Sequence, residues 1–205
     1  MSNLPDFSEH GYQVIEQLGH NSQGGRITYL AVNIKSEQQQ KIEVVIKEFR
    51  FGLIDSDWAG YKAHEREIKV LEKLDHPRIP RYLDSFPTDN GICLVQEYKP
   101  APSLAEKLAE KKYFSPQEVK KIAISVLEIL VYLQEFKQPV IHRDIKPENI
   151  LVDEDLNAYL IDFGLARVQS GSMALSTVTT GTWRFRGMLK SAINAINRLL
   201  DIDCC

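Results

Sequence analysis

The sequence predicts an α+β protein with two lobes: a strand-rich N-terminal lobe containing one helix, and a helical C-terminal lobe. Five short runs of β-branched and aromatic residues, separated by turn-forming segments, fall within residues 12–98. One amphipathic helix interrupts these runs, and two Ser-x-x-Glu helix starts follow from Ser103 onwards. With 205 residues, 43% of them apolar, the chain is long enough for one sizeable core or two small lobes.

The strands of the first lobe are expected at Tyr12–Leu18, Ile27–Val32, Ile42–Phe49, Arg81–Phe86 and Gly91–Tyr98. The first two flank a glycine-containing hairpin tip at Gly19–Arg26, and the last two are joined by a turn at Pro87–Gly91. Between the third and fourth strands we expect a helix over Asp57–Leu74, ended by Asp75-His76-Pro77. Its apolar residues recur at helical spacing, at Ile68, Leu71 and Leu74.

Residues 99–102 are expected to link the lobes, and capping boxes at Ser103-Leu104-Ala105-Glu106 and Ser115-Pro116-Gln117-Glu118 open two helices beyond them. The second helix is expected to reach Phe136. Its apolar side chains recur at helical spacing and predict a buried face: Val119, Ile122, Ala123, Val126, Leu127, Leu130 and Leu133.

Composition excludes several classes of protein. The net charge is −3 with both signs interspersed, so no basic face for nucleic acid is expected. The three cysteines, Cys93 and the Cys204-Cys205 pair, offer neither a disulfide framework nor a metal-ligand spacing. Residues 1–11 lack the features of an export signal, and no apolar run reaches the length of a membrane span. We therefore expect a cytoplasmic protein that does not interact with a membrane.

Three polar side chains lie on loops that border short β-branched runs in the second lobe. Asp144 and Asn149 follow Val140-Ile141, and Asp162 follows Leu160-Ile161. Because the flanking runs are predicted strands, these side chains can converge although they are distant in sequence. Carboxylate and amide oxygens suit Mg²⁺, and a further carboxylate nearby can accept a proton.

These residues resemble two protein kinase motifs. His142-Arg143-Asp144-Ile145-Lys146-Pro147-Glu148-Asn149 is similar to the catalytic loop, with Lys146 at the position typical of serine/threonine kinases, and Asp162-Phe163-Gly164 is similar to the Asp-Phe-Gly motif. The resemblance covers about residues 12–183. Within the eukaryotic-type family it is closest to bacterial members, judged from Tyr29-Leu30-Ala31 and Asp75–Pro80.

The resemblance implies a protein-kinase-like two-lobe fold, with a five-stranded antiparallel N-lobe that carries one helix and an incomplete helical C-lobe. The corresponding parts are a tail at 1–11, the N-lobe at 12–98, the hinge at 99–102, a partial C-lobe at 103–183 and an atypical tail at 184–205. Arg184–Leu189 differs from the family's Ala-Pro-Glu segment, so we expect a truncated or frame-altered kinase. An uncovered C-lobe surface would then favour aggregation or a binding partner.

The resemblance also assigns roles in the second lobe. Asp144 would orient the substrate hydroxyl and accept its proton, and Lys146 would steady the transferring phosphate. Asn149 and Asp162 would hold Mg²⁺, whereas His142 is expected to be structural. Arg143 implies regulation by phosphorylation within Leu165–Thr182, although this segment can equally be an ordinary polar loop. The candidate acceptors are Ser176, Thr177, Thr179 and Thr180.

In the first lobe, Lys47 would contact the α- and β-phosphates of ATP and pair with a glutamate of the helix. We favour Glu67 for this pair because Val70-Leu71 follows it at the family's spacing; Glu65 is expected to form a surface pair with Lys69. Without the other motifs, Lys47 would most simply lie at an exposed strand edge.

The glycine-rich pattern of the family falls at Gly19, Asn21 and Gly24, so asparagine replaces the middle glycine. Asparagine tolerates positive φ, which would preserve a turn there, and without the other motifs the segment would be an ordinary hairpin. Gln96 would be the gatekeeper beside the adenine. The residues expected to bind the nucleotide are Leu18, Gly19, Asn21, Gly24, Thr28, Lys47, Glu97 through its carbonyl and Lys99 through its amide.

The expected function is transfer of the γ-phosphate of ATP to serine or threonine of protein substrates, with Mg²⁺ as the metal. One alternative is a non-catalytic module that binds ATP and partner proteins, and another is a fragment that does not fold and has no activity.

Overall fold

The computed structural model describes residues 4–21, 25–35, 41–50, 57–110 and 113–168, without the side chains of 21, 57–61 and 63. These residues form two compact units. The first contains the described residues up to Glu72 together with Arg81–Tyr98, and the second contains Lys73–Pro80 and the described residues from Lys99 onwards.

The first unit is built on a five-stranded antiparallel sheet in the order β1-β2-β3-β5-β4. Its strands are β1 (Tyr12–Asn21), β2 (Arg26–Asn33), β3 (Ile42–Arg50), β4 (Tyr82–Thr88) and β5 (Gly91–Glu97). The prediction of a five-stranded antiparallel lobe with one helix is confirmed.

Two strand ends differ from the prediction. β1 continues to Asn21, where it pairs with Arg26 of β2, so the first three residues of the predicted tip are strand and Asn21 is not a turn residue. Residues 22–24 of the tip lie outside the described residues. β4 includes Pro87, which we had placed in a turn. A proline is tolerated there because β4 is an edge strand, where a missing N–H interrupts no ladder on the open side.

One face of this sheet is covered by aromatic side chains from residues 4–11, which we had expected to be a tail. A short 3₁₀ turn at Ser8–His10 places Phe7, which is 4% exposed, beside the rings of Tyr29 and Phe86, with centroids 6.1 and 5.4 Å away. The core of this face consists of Phe7, Tyr12, Ile27, Tyr29, Ala31, Val44, Ile46, Phe86, Cys93 and Val95. These N-terminal residues are therefore part of the lobe.

The helix of this unit, α1 (Asp57–Leu71), ends three residues before the predicted Leu74. The chain then enters the second unit, where the Asp75 amide donates to the Tyr132 hydroxyl at 2.7 Å. The Leu160 amide donates to the Arg78 carbonyl at 3.0 Å. Contacts in the second unit thus hold the segment after α1 in a non-helical conformation.

The second unit contains α2 (Leu104–Ala109) and α3 (Pro116–Glu135), and both predicted capping boxes are confirmed. The buried face of α3 differs slightly from the prediction: Ser125 and Ile129 are buried, whereas Ala123 and Leu127 are only partly buried. The Ser125 hydroxyl accepts a hydrogen bond from the Ala158 amide at 2.9 Å, which explains a polar group inside this face.

Two small sheets also lie among the described residues of the second unit. β6 (Val140–Ile141) pairs with β9 (Arg167–Val168), and β7 (Ile150–Val152) pairs with β8 (Ala158–Leu160), both antiparallel. In the part of the chain that the structure describes, no helix is long and apolar enough to cross a lipid bilayer.

Candidate active site

The first group of predicted site residues lies on the sheet of the first unit. Lys47 is in β3 and pairs across the strands with Thr28 of β2, which in turn pairs with Gly19 of β1. Because residues paired across adjacent strands face the same side of a sheet, Gly19, Thr28 and Lys47 form one row on one face. Asn21 lies at the end of β1, and Gly24 lies outside the described residues.

Lys47 and Glu67 form an ion pair inside this unit. The Lys47 Nζ lies 2.5 Å from Glu67 Oε1, and the residues are 5% and 0% exposed. Glu65 instead pairs with Lys69 on the helix surface at 3.7 Å. The pairing of Lys47 with Glu67 rather than Glu65 is therefore confirmed. Lys47 is buried, so it does not lie at an exposed strand edge, where it would have been expected without the other motifs.

Residues 97–99 span the boundary between the two units. In the first unit, the Glu97 amide donates to the Arg81 carbonyl at 2.9 Å. In the second unit, the Lys99 carbonyl accepts from the Ala101 amide at 2.8 Å, and the Lys99 Nζ lies 5.5 Å from the centre of the Tyr159 ring. These bonds do not use the Glu97 carbonyl or the Lys99 amide, so the predicted adenine contacts stay predictions. Gln96, which we predicted to be the gatekeeper, is buried, with 4% of its surface exposed.

The second group of predicted site residues lies on the loop between β6 and β7. The Asn149 Nδ2 donates to the Asp144 carbonyl at 2.8 Å and to Asp144 Oδ2 at 2.9 Å. The Lys146 Nζ lies 2.8 Å from the same Oδ2. Asp144 is thus held by an amide and a cation, and the predicted convergence of Asp144 with Asn149 is confirmed.

Asp162 follows β8 and adopts a left-handed conformation, with φ of 64°. The Ile161 amide, one residue before it, donates to the Asn149 carbonyl at 3.0 Å, which brings the backbone at Asp162 next to the Asn149 loop. The Gly164 amide donates to Asp162 Oδ1 at 3.3 Å. A non-glycine residue held at positive φ costs free energy, and such residues cluster at functional sites.

His142 connects the two loops from inside the unit. It is 0% exposed, its Nδ1 accepts from the Asp144 amide at 3.3 Å, and its Nε2 lies 3.1 Å from the Ile161 carbonyl. A single neutral tautomer, with the proton on Nε2, satisfies both bonds. Its ring also contacts Phe163 edge-on, with centroids 4.6 Å apart. The prediction that His142 is structural is confirmed.

Asn149 and Asp162 can supply oxygen ligands to a cation. The two bonds from Asn149 to Asp144 use only Nδ2, which leaves the amide oxygen for a metal. Within the described ranges, no group of three or more His, Cys, Asp or Glu side chains is placed to hold a metal. Mg²⁺ commonly takes one or two protein ligands and completes its coordination with phosphate and water oxygens, so the amide and carboxylate of Asn149 and Asp162 are suitable ligands for it.

Sequence reasoning missed a buried polar residue of the first unit, on the same helix as Glu67. His64 of α1 is 2% exposed and packs on Phe49 of β3. Its position three residues before Glu67, on the same face of the helix, was the available signal.

Arg143 is exposed with φ of 72°, and Ser176, Thr177, Thr179 and Thr180 lie outside the described residues.

Comparison with known proteins agrees with this geometry. The protein kinase domain matches residues 12–192, past the end at Trp183 that the motifs suggested. Serine/threonine-protein kinase cds1 of Schizosaccharomyces pombe is 32% identical over 83% of this chain and 36% of its own length. The carbon catabolite-derepressing protein kinase of Candida glabrata is 32% identical over 86% of this chain and 28% of its own length. A probable myosin light chain kinase of Dictyostelium discoideum is 32% identical over 77% of this chain and 49% of its own length.

The chain thus spans less than half the length of these curated relatives. The three are eukaryotic proteins, and the closer likeness to bacterial members stays a prediction. The match to the domain covers most of the sequence and includes every predicted site residue. The chain therefore belongs to the protein kinase family.

Proposed function

We propose that this chain transfers the γ-phosphate of ATP to serine or threonine side chains of a protein substrate. The observation that carries the proposal is the cluster on the β6–β7 loop, where Lys146 and Asn149 both contact the Asp144 carboxylate. A carboxylate fixed in this way can accept a proton from a hydroxyl placed beside it. The names of the relatives support serine and threonine as acceptors.

In the proposed reaction, Asp144 orients the acceptor hydroxyl and takes its proton as the oxygen bonds to the γ-phosphorus. The bond from that phosphorus to the β-phosphate oxygen breaks, and ADP leaves. Lys146, beside the same carboxylate, offsets negative charge on the transferring group. Lys47, oriented by Glu67, neutralises the α- and β-phosphates.

Asn149 and Asp162 provide the ligands for Mg²⁺ in this proposal, and their amide and carboxylate oxygens fit a hard cation. When bound, the metal neutralises phosphate charge. Asn149 has a second task, because its Nδ2 bonds fix the Asp144 side chain. Replacement of Asn149 would therefore disturb the base as well as the metal.

Two variants separate these roles. Asp144→Asn should keep Mg-ATP binding and lose transfer, whereas Asp162→Asn should lose the Mg²⁺-dependent part of binding. Binding is measured as thermal stabilisation by Mg-ATP, and transfer as labelled phosphate on a mixture of Ser/Thr peptides. Binding without any transfer by the wild-type chain would contradict the proposal and support a non-catalytic ATP-binding module. A wild-type chain that shows no binding and no transfer would contradict both the proposed function and the non-catalytic ATP-binding module.

A further inference from the structure

The buried face of α1 carries a second contact with β3, one helical turn before Glu67. The His64 and Phe49 rings have centroids 4.6 Å apart with planes inclined at 58°, and their residues are 2% and 5% exposed. The helix thus touches the strand at two places, through the Lys47–Glu67 ion pair and through the His64–Phe49 rings.

The two contacts have compatible spacing. Lys47 and Phe49 are two residues apart on a strand, so they face the same side of the sheet about 6.6 Å apart. His64 and Glu67 are three residues apart on a helix, so they share a face and are separated by about 4.5 Å along its axis. Two contacts at comparable spacing fix both the position of a helix along a strand and its rotation.

The ion pair alone does not fix that rotation. Lys47 holds only Oε1 of Glu67, and Oε2 has no hydrogen-bond partner among the described residues. A lysine ammonium is a point charge on a flexible stem, which can follow a carboxylate through small movements of the helix. Two packed rings resist such movements because a gap of about 0.5 to 1 Å already loses a quarter to a half of their dispersion attraction.

We propose that His64 is a positioning residue for the Lys47–Glu67 ion pair, and that its packing on Phe49 sets the rotation of α1 that presents Glu67 to Lys47. The effect on Mg-ATP binding rests on the proposed function, whereas the effect on the ion pair does not.

The state of the His64 ring agrees with this role. Its Nδ1 has no hydrogen-bond partner among the described residues. Burial lowers the pKa of His64 from 6.5 to about 4, although the nearby Glu65 carboxylate acts in the opposite direction. The ring is therefore uncharged at neutral pH and packs as an aromatic group.

The first test measures how well Lys47 is held, without nucleotide. The full chain is treated with a reductive methylation reagent, and modification of Lys47 is followed by mass spectrometry in the wild type, His64→Ala, His64→Phe and Val70→Ala. Val70, 1% exposed on the same helix, controls for a general loss of stability. We expect Lys47 to react roughly threefold faster or more in His64→Ala, and at the wild-type rate in Val70→Ala and His64→Phe.

An equal acceleration in Val70→Ala, or no acceleration in His64→Ala, would overturn the proposal. If circular dichroism shows that His64→Ala does not fold, Phe49→Leu decides instead, since it keeps apolar volume and removes the ring partner. Phe49→Leu should then accelerate Lys47 modification, and an unchanged rate would overturn the proposal.

The second test asks whether His64 acts through Glu67. Affinity for Mg-ATP is measured for His64→Ala, Glu67→Gln and the double variant. We expect each single variant to bind more weakly and the double variant to match Glu67→Gln, whereas additive losses would contradict action through Glu67. A wild-type chain that does not bind Mg-ATP would overturn the proposed function, and the Lys47 reaction rates would still decide the role of His64.

Discussion

Lys47 and Glu67 show how one buried ion pair can select between two similar glutamates. Glu65 and Glu67 are both on α1, but only Glu67 turns its carboxylate towards β3, and Glu65 stays on the helix surface with Lys69. The two ion pairs differ in their contribution to stability, because breaking a buried pair leaves an uncompensated charge whereas an exposed pair contributes little.

Glu67→Gln should therefore lower kcat/KM for ATP roughly tenfold or more, because Lys47 loses the group that orients it towards phosphate. Glu65→Gln is the matched control, with the same chemical change on the same helix, and should stay close to wild type. Steady-state kinetics with varied ATP tests both variants. Equal losses in the two would contradict the assignment of Glu67.

The burial of His64 predicts a dependence of stability on pH. Its folded-state pKa, lowered by burial from 6.5 to about 4, lies below that of the unfolded chain. As pH falls from about 6.5 to about 4, the unfolded state binds a proton that the folded state does not, so the free energy of unfolding decreases. Above this window the residue makes no pH-dependent contribution.

We expect wild type to lose roughly 1 to 2 kcal/mol more than His64→Phe between pH 7 and pH 4.5, after allowance for solvent screening. Urea unfolding of both proteins across this range measures the difference. His76, whose pKa burial also lowers, is present in both and cancels in the comparison. Parallel pH curves for the two proteins would contradict the buried neutral state of His64.

At the level of elements, helix starts were predictable and strand ends were not. The boxes at Ser103 and Ser115 are local signals, because each side chain bonds within four residues of its own position. The extension of β1 to Asn21 and of β4 through Pro87 depends instead on which strand lies alongside, and that information is distributed over distant residues.

The turn between β4 and β5 depends on the close approach of Gly91 to the backbone of β3. A Cβ placed on Gly91 would lie 1.8 Å from the carbonyl oxygen of Phe49 in β3, so any side chain would force the strands apart. Gly91→Ala should cost roughly 2 kcal/mol or more in the free energy of unfolding. A Cβ at Gly19 would meet no atom within 4 Å, so Gly19→Ala is the matched control and should cost less than about 1 kcal/mol. Denaturant unfolding that ranks the two variants in reverse would contradict this packing.

The kinase motifs predicted the residues of the candidate site better than the periodicity of apolar residues predicted the side chains packed around them. Asp144, Asn149, Lys47 and Glu67 were all identified from their resemblance to kinase motifs, and the structure pairs Asn149 with Asp144 and Lys47 with Glu67. The burial of His64 was not predicted, since its only signal is a spacing of three residues from Glu67, and a histidine within a polar stretch of α1 carries no apolar signal. Its environment comes from Phe49, which is 15 residues earlier and on a different element.

At the scale of the molecule, the N-terminal residues were the largest surprise. No strand or helix pattern marks residues 4–11, so sequence alone suggested a tail. The fold uses Phe7 to cover the apolar face of a sheet, and the Tyr12 hydroxyl donates to Asp84 Oδ2 at 3.1 Å beside it. The family match begins only at residue 12, so this cover is a feature of the chain outside that match.

Phe7→Ala should lower the free energy of unfolding by about 3 kcal/mol, because it removes a buried ring from a packed face. Leu4→Ala is the matched control, since Leu4 is 36% exposed, and should stay within about 0.5 kcal/mol of wild type. Thermal unfolding of both variants measures the contrast. A Phe7→Ala protein as stable as wild type would show that residues 4–11 do not contribute to the lobe in solution.

The most direct test of the central claim is phosphate transfer by the full chain in Mg-ATP, with the labelled acceptor identified by phosphoamino acid analysis. The wild type should label serine or threonine, and Asp144→Asn should be slower by a factor of about 100 or more with Mg-ATP affinity preserved. Asp155→Asn, an exposed carboxylate outside the site, should label at the wild-type rate. Equal labelling by wild type and Asp144→Asn, or none by either while both bind Mg-ATP, would contradict the assignment of phosphate transfer to this chain with Asp144 as the base.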